Sequence, residues 1–67
     1  MNIGVVGTGY VGLVTGTMLA SRGNQVICVD SDQGVVRKLN QGEVHFFEPG
    51  LENEVRSASE KGLLTFT

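Results

Sequence analysis

The 67-residue chain predicts an α/β fold, a doubly wound parallel sheet of which it carries the first half, about three strands and three helices. Three observations predict it. Apolar, β-branched runs at Asn2–Val6 and Gln25–Val29 bracket a stretch whose small residues recur every four positions, and a period of two giving way to one near 3.6 marks strand, helix and strand. A second such alternation ends in the run L-L-T-F-T. Glycines stand where each helical pattern stops, at Gly23, Gly42 and Gly62, the position after a helix that favours a residue free of Cβ strain. Strands joined through helices pair in parallel and cross over right-handedly.

Each element has its own warrant. The run N-I-G-V-V carries apolar residues at consecutive positions, the pattern of a parallel strand covered by helices on both faces. A helix follows over 10–22. Its stripe of Gly12, Gly16 and Ala20 lets the axis approach a sheet closely, with Val11, Val14, Met18 and Leu19 at its flanks. Q-V-I-C-V forms the second strand. A second helix spans 32–41, capped by Ser31 or Asp32, with Val35, Val36 and Leu39 inward and Arg37 and Lys38 near its negative end. Glu48-Pro49-Gly50-Leu51 starts the third helix, with Pro49 in the first helical position and Leu51, Val55 and Ala58 on one face. Glu52 and Arg56 stand one turn apart, a spacing that supports an ion pair. The third strand covers 63–67.

The chemistry lies in G-T-G-Y-V-G, at 7–12, between the first strand and the first helix. Gly7 turns the chain sharply, Gly9 lets backbone approach a pyrophosphate, and Gly12 brings the helix against the strand. Amide groups from Gly9 through Tyr10, Val11 and Gly12, at the positive end of the helix, suit an anion without a cationic side chain. Asp30 ends the second strand eighteen residues beyond Gly12, close to the roughly 20-residue spacing of an acid that accepts from an adenosine ribose. Strand, turn, helix and acid together make a Rossmann-like dinucleotide fingerprint. NAD is favoured over NADP, since a 2′-phosphate would be repelled by Asp30 and the nearest arginine is Arg37. A triphosphate-binding loop is excluded because Leu13 and Val14 stand where lysine and serine or threonine are needed. Methyltransferases also place an acid after their second strand, but their turn seldom carries the third glycine.

Composition narrows the partners. A net charge of −2 offers no basic patch for nucleic acid. The apolar stretch from Val11 to Ala20 is too short and too interrupted to span a membrane, so a cytoplasmic protein is expected. The single cysteine, Cys28, lies inside a strand and reads as a buried small hydrophobe; His45 has no second metal ligand at a suitable spacing. No catalytic or metal-binding residue is expected within the chain.

The runs V-V-G-T-G-Y-V-G-L-V-T-G, C-V-D, K-L-N-Q-G-E, E-P-G-L-E and K-G-L-L-T-F-T resemble, in order and spacing, the N-terminus of the UDP-glucose/GDP-mannose dehydrogenase family, and within it the UDP-glucose 6-dehydrogenases. This resemblance spans the whole chain. It implies the N-terminal portion of an NAD-binding domain, with central and C-terminal domains outside these residues, and an enzyme that oxidises the C6 hydroxyl of UDP-glucose to a carboxylate with two NAD. GDP-mannose and UDP-N-acetylmannosamine dehydrogenases are the alternatives within the family; a non-catalytic nucleotide-binding or assembly module is the alternative outside it. The implied cofactor contacts are Gly7, Thr8, Gly9, Tyr10, Val11 and Gly12 at the pyrophosphate and Asp30 at the ribose. The catalytic cysteine of the family lies beyond residue 67, so Cys28 does not inherit that role and the 67 residues alone are expected to be inactive. A homo-oligomer is expected. Two departures stand out: relatives often carry lysine where this chain has Val35, and proline where it has His45.

Overall fold

Three strands, β1 (Asn2–Val6), β2 (Gln25–Val29) and β3 (Leu64–Phe66), form one parallel sheet in the order β1-β2-β3. In the computed structural model, which describes residues 1–67 throughout, Val6 stands opposite Val29 at the ends of β1 and β2. Three helices complete the chain: α1 (Tyr10–Ser21), α2 (Gln33–Asn40) and α3 (Leu51–Glu60). Element order and type follow the expectation from sequence. Boundaries move by one or two residues, as helix ends commonly do.

One strand expectation fails, because the sheet is covered on one face only. Ile3, Val5, Val26, Cys28, Leu64 and Phe66 share the face that meets the core. On the other face Val6 is 90% exposed, Ile27 47% and Val29 42%. Two successive right-handed crossovers step along the sheet in the same direction, and that geometry places α1 and the later helices on the same side.

α1 approaches the sheet on its small residues. A Cβ built on Gly12 would overlap the carbonyl oxygen of Gly7, and one on Gly16 would lie 3.0 Å from the Cys28 sulfur. Leu13, wholly buried, and not Val11 or Met18, supplies the large apolar side chain of this helix. Thr17 is buried beside it with its hydroxyl unpaired, a group whose burial costs free energy. Asp32 caps α2, accepting from the amides of Gly34 and Val35 at 3.0 and 3.2 Å.

The start of α3 differs from expectation. Pro49 is not in the first helical turn; Leu51 donates its amide to the Glu48 carbonyl at 3.1 Å across Pro49 and Gly50. Gly50 has φ 82° and ψ −14°, the geometry required of the third residue in a type II turn, with proline before it. Glu48 therefore sits in a turn, while Glu52 and Glu54 occupy the first turn of the helix. Arg56 fastens the segment before this turn to α3, donating to the Gly42 carbonyl at 3.0 Å and pairing with Glu52 at 3.3 Å. Glu52 also accepts from the Val44 amide at 3.3 Å.

Candidate cofactor-binding site

Parallel strands deliver their C-terminal ends to one edge of the sheet, and here that edge carries the glycine turn and Asp30 together. Gly7 leaves β1 at φ 92°, a backbone state that side chains seldom adopt. Its amide donates to the Val29 carbonyl at 2.7 Å, tying the turn to the end of β2. Gly9 then forms the N-cap of α1. A Cβ there would meet nothing within 4 Å, so the backbone faces open space. The closeness of Gly12 to the Gly7 carbonyl holds turn and helix in contact.

The first amides of α1 are unsatisfied within the chain. Leu13 donates to the Gly9 carbonyl, while the amides of Gly9, Tyr10, Val11 and Gly12 reach no backbone or side-chain acceptor. Neither a capping side chain nor an acidic residue occupies the first turn of α1. The contrast is internal to the molecule: α2 is capped by Asp32 and α3 carries two glutamates in its first turn. An uncapped helix N-terminus with room in front of it suits an anionic oxygen. These features fit the pyrophosphate of a dinucleotide.

Asp30 lies half-buried at the end of β2. Its Oδ2 accepts from the Thr8 amide at 2.8 Å and the Thr8 hydroxyl at 2.6 Å, while Oδ1 accepts from the Asp32 amide at 2.9 Å. The Thr8 hydroxyl is the first cause, and the two amides reinforce it, of a carboxyl pKa lowered to about 2; the charge of His45 adds to the same effect. Asp30 is therefore an anion throughout the physiological range. An open groove of about 320 Å³, lined by Val6, Gly7, Val29, Asp30 and Ser31, lies at these strand ends. Ligands of open α/β sheets bind outside the carboxyl ends of strands.

Among the residues expected at the pyrophosphate, Thr8 is placed differently from the rest. Its amide is already engaged by Asp30, and the residue is wholly buried. The Thr8–Asp30 link was not anticipated, although the strand pairing that produces it was. Once Val6 lies opposite Val29, the residues just beyond them must be neighbours. Tyr10 was expected only for its backbone, yet its ring also packs against Phe46 with centroids 5.5 Å apart. Glu48 beside its hydroxyl raises the phenol pKa, first by hydrogen bonding and then by charge. His45 packs edge-on against the same Phe46, so the 45–48 segment rests at the start of α1. Val35 is half-buried in the first turn of α2, where it contributes packing.

Cys28 is wholly enclosed on the core face of β2, and burial pushes its thiol up to about 11. The thiolate needed for nucleophilic chemistry is thus disfavoured.

Residues 1–67 match the model of the UDP-glucose/GDP-mannose dehydrogenase family, NAD binding domain. The chain is 46% identical over 67 residues to UDP-glucose 6-dehydrogenase of Rhizobium meliloti (strain 1021), covering 100% of this chain and 15% of that protein. It is 51% identical over 65 residues to NDP-N-acetyl-D-galactosaminuronic acid dehydrogenase of Ralstonia nicotianae (strain ATCC BAA-1114 / GMI1000), covering 97% of this chain and 15% of that one. Among solved structures, GDP-mannose dehydrogenase from Pseudomonas aeruginosa, in a ternary complex, superposes with a TM-score of 0.96 at 39% identity over 100% of this chain and 15% of its own. The chain spans about 15% of the length of these relatives. It belongs to the UDP-glucose/GDP-mannose dehydrogenase family, through the match of its residues to the model of that family's NAD-binding domain.

Proposed function

We propose that the protein carrying this chain oxidises the C6 hydroxyl of UDP-glucose to the carboxylate of UDP-glucuronate. The overall conversion would consume two NAD and one water, which becomes the second carboxylate oxygen. NAD, when bound, supplies the hydride acceptor. The residues of this chain bind and select it: the amides of Gly9, Tyr10, Val11 and Gly12 receive the pyrophosphate, Gly7 shapes the turn, and Asp30 accepts from the adenosine ribose. One observation carries the cofactor part of this reading, the conjunction of an uncapped, acid-free start of α1 with an anionic Asp30 at the neighbouring strand end; the choice of UDP-glucose rests on the relatives of that name.

In this reading, the 67 residues are the N-terminal portion of the domain, and the sugar is bound and oxidised by central and C-terminal segments outside them. The chain alone is inactive. Cys28, enclosed in the sheet, is not the nucleophile. Selection of the sugar also lies outside the chain, so GDP-mannose and UDP-N-acetylmannosamine are the competing substrates. The identity to a dehydrogenase named for an N-acetylgalactosaminuronic acid is as high as that to the UDP-glucose enzymes. The protein works in the cytoplasm as a homo-oligomer, without membrane or nucleic-acid partners; no helix here is long and apolar enough to cross a membrane.

Calorimetric titration of the complete protein with NAD and NADP tests the cofactor assignment, and NADH formation from each of the three nucleotide sugars tests the substrate. NAD is expected to bind more tightly than NADP, and Asp30→Ala to weaken NAD by about tenfold, the scale of one charge-assisted hydrogen bond. Unchanged NAD affinity in Asp30→Ala removes the ribose assignment. NADH formation with another nucleotide sugar but not UDP-glucose removes the substrate.

A further inference from the structure

Thr8 is the one residue of the glycine turn whose polar groups are both directed to another side chain. It is buried completely, and both its amide and its hydroxyl end on the same oxygen, Asp30 Oδ2, at 2.8 and 2.6 Å. No other acceptor engages either group. A carboxylate has about four acceptor positions, two on each oxygen. Thr8 takes both on Oδ2, and the Asp32 amide takes one on Oδ1 at 2.9 Å. Acceptor capacity therefore remains on Oδ1.

We propose that Thr8 is a positioning residue for cofactor selection: it holds the Asp30 carboxylate in one orientation, saturates Oδ2, and leaves Oδ1 to receive a ribose hydroxyl. The proposal rests on the reading of Asp30 as the ribose acceptor. Thr8 acts through Asp30 and not on the pyrophosphate, which the later amides of the turn receive. Two consequences follow from the chemistry. A freely rotating carboxylate would lose conformational freedom at the moment of binding, at a cost in entropy, and accept ribose less well. It could also turn from a 2′-phosphate, so that loosening Asp30 weakens NAD while sparing NADP. A residue that merely supported the fold would weaken both cofactors alike.

The complete protein and its Thr8→Val, Thr8→Ser, Asp30→Ala and Thr8→Val/Asp30→Ala variants, titrated calorimetrically with NAD and NADP, decide this. Valine keeps the shape of threonine and deletes the hydroxyl, while serine restores it. Thr8→Val is expected to weaken NAD about tenfold with little change for NADP, and Thr8→Ser to stay within about twofold of the parent on the same scale. In the Asp30→Ala background, Thr8→Val should produce no further loss, because the two residues act as one unit. Equal losses for NAD and NADP overturn the proposal, as does a loss that persists without Asp30, which would place Thr8 on the cofactor itself. If Asp30→Ala weakens NAD but Thr8→Val leaves it unchanged, the positioning role falls and the ribose assignment stands. If Asp30→Ala is without effect, both fall. Should circular dichroism show Thr8→Val unfolded, Thr8→Ala and Thr8→Ser carry the same comparison.

Discussion

Asp30, the proposed ribose acceptor, also serves the fold, since its carboxylate joins the glycine turn to the end of β2. Its folded pKa of about 2 lies below the usual 3.8, so the native state favours the ionised form. The stability this lends is complete above the ordinary carboxylate range and is lost as pH falls from there through the folded value near 2. Thermal melts of the complete protein and of Asp30→Asn between pH 6 and 2 should show a gap that is constant above about 5 and closes toward the acid end. A gap independent of pH would contradict the hydrogen bonds assigned to the carboxylate. That Asp30 would stand beside the glycine turn was legible from its distance to Gly12 and its place at a strand end. What holds it was not, because Thr8 is twenty-two positions away and only pairing of β1 with β2 brings them together.

At the scale of elements, α1 shows which parts of a pattern survive folding. The small-residue stripe was read correctly, since Gly16 and Ala20 are buried and Gly12 touches the turn. Of the large residues placed at its flanks, Val14 and Leu19 pack against the core while Val11 and Met18 face outward, and Leu13 fills the core. A helix so apolar on all sides gives periodicity little to work with, and the packing partner decides. The two glycines should differ on substitution. Gly12→Ala meets a backbone carbonyl that cannot move without opening the turn, and is expected to cost about 2–3 kcal/mol, the upper part of the overpacking range. Gly16→Ala presses only on the Cys28 sulfur; the gain in helix propensity of about 0.8–1.0 kcal/mol offsets most of that strain. Urea denaturation of the complete protein measures both, and comparable losses would show that the turn yields as easily as a side chain. The E-P-G-L segment teaches a related lesson. Proline followed by glycine fits the first turn of a helix and also a type II turn, and the left-handed Gly50 chose the second.

For the whole molecule, the decisive fact is a sheet with one clothed face. β1 is not buried on both sides as its sequence suggests, yet that sequence carries the apolar residues such coverage needs. Soluble proteins rarely leave a contiguous apolar patch bare. Under the proposal that further segments complete the domain, Val6, Ile27 and Val29 lie beneath them. Ile27→Thr in the complete protein should then cost about 1–2 kcal/mol by chemical denaturation, as a buried substitution does. A change within about 0.5 kcal/mol, typical of a surface position, would show that this face meets water. Topology and parallel pairing were legible because glycines and alternating periods mark every boundary. The bareness of one face was not, since residue patterns record the covering a strand is suited to and not the number of helices that precede it.

The unequal treatment of the three helix starts reaches beyond recognition. α2 and α3 bring their own negative partners to their N-termini, but α1 has none within the chain. A bound pyrophosphate would act as the missing cap, so ligand and helix would stabilise one another. Under the proposed assignment, cofactor binding would be part of the folding equilibrium: the turn would be firmest with the phosphates present, and its local opening rarer as ligand occupancy rises.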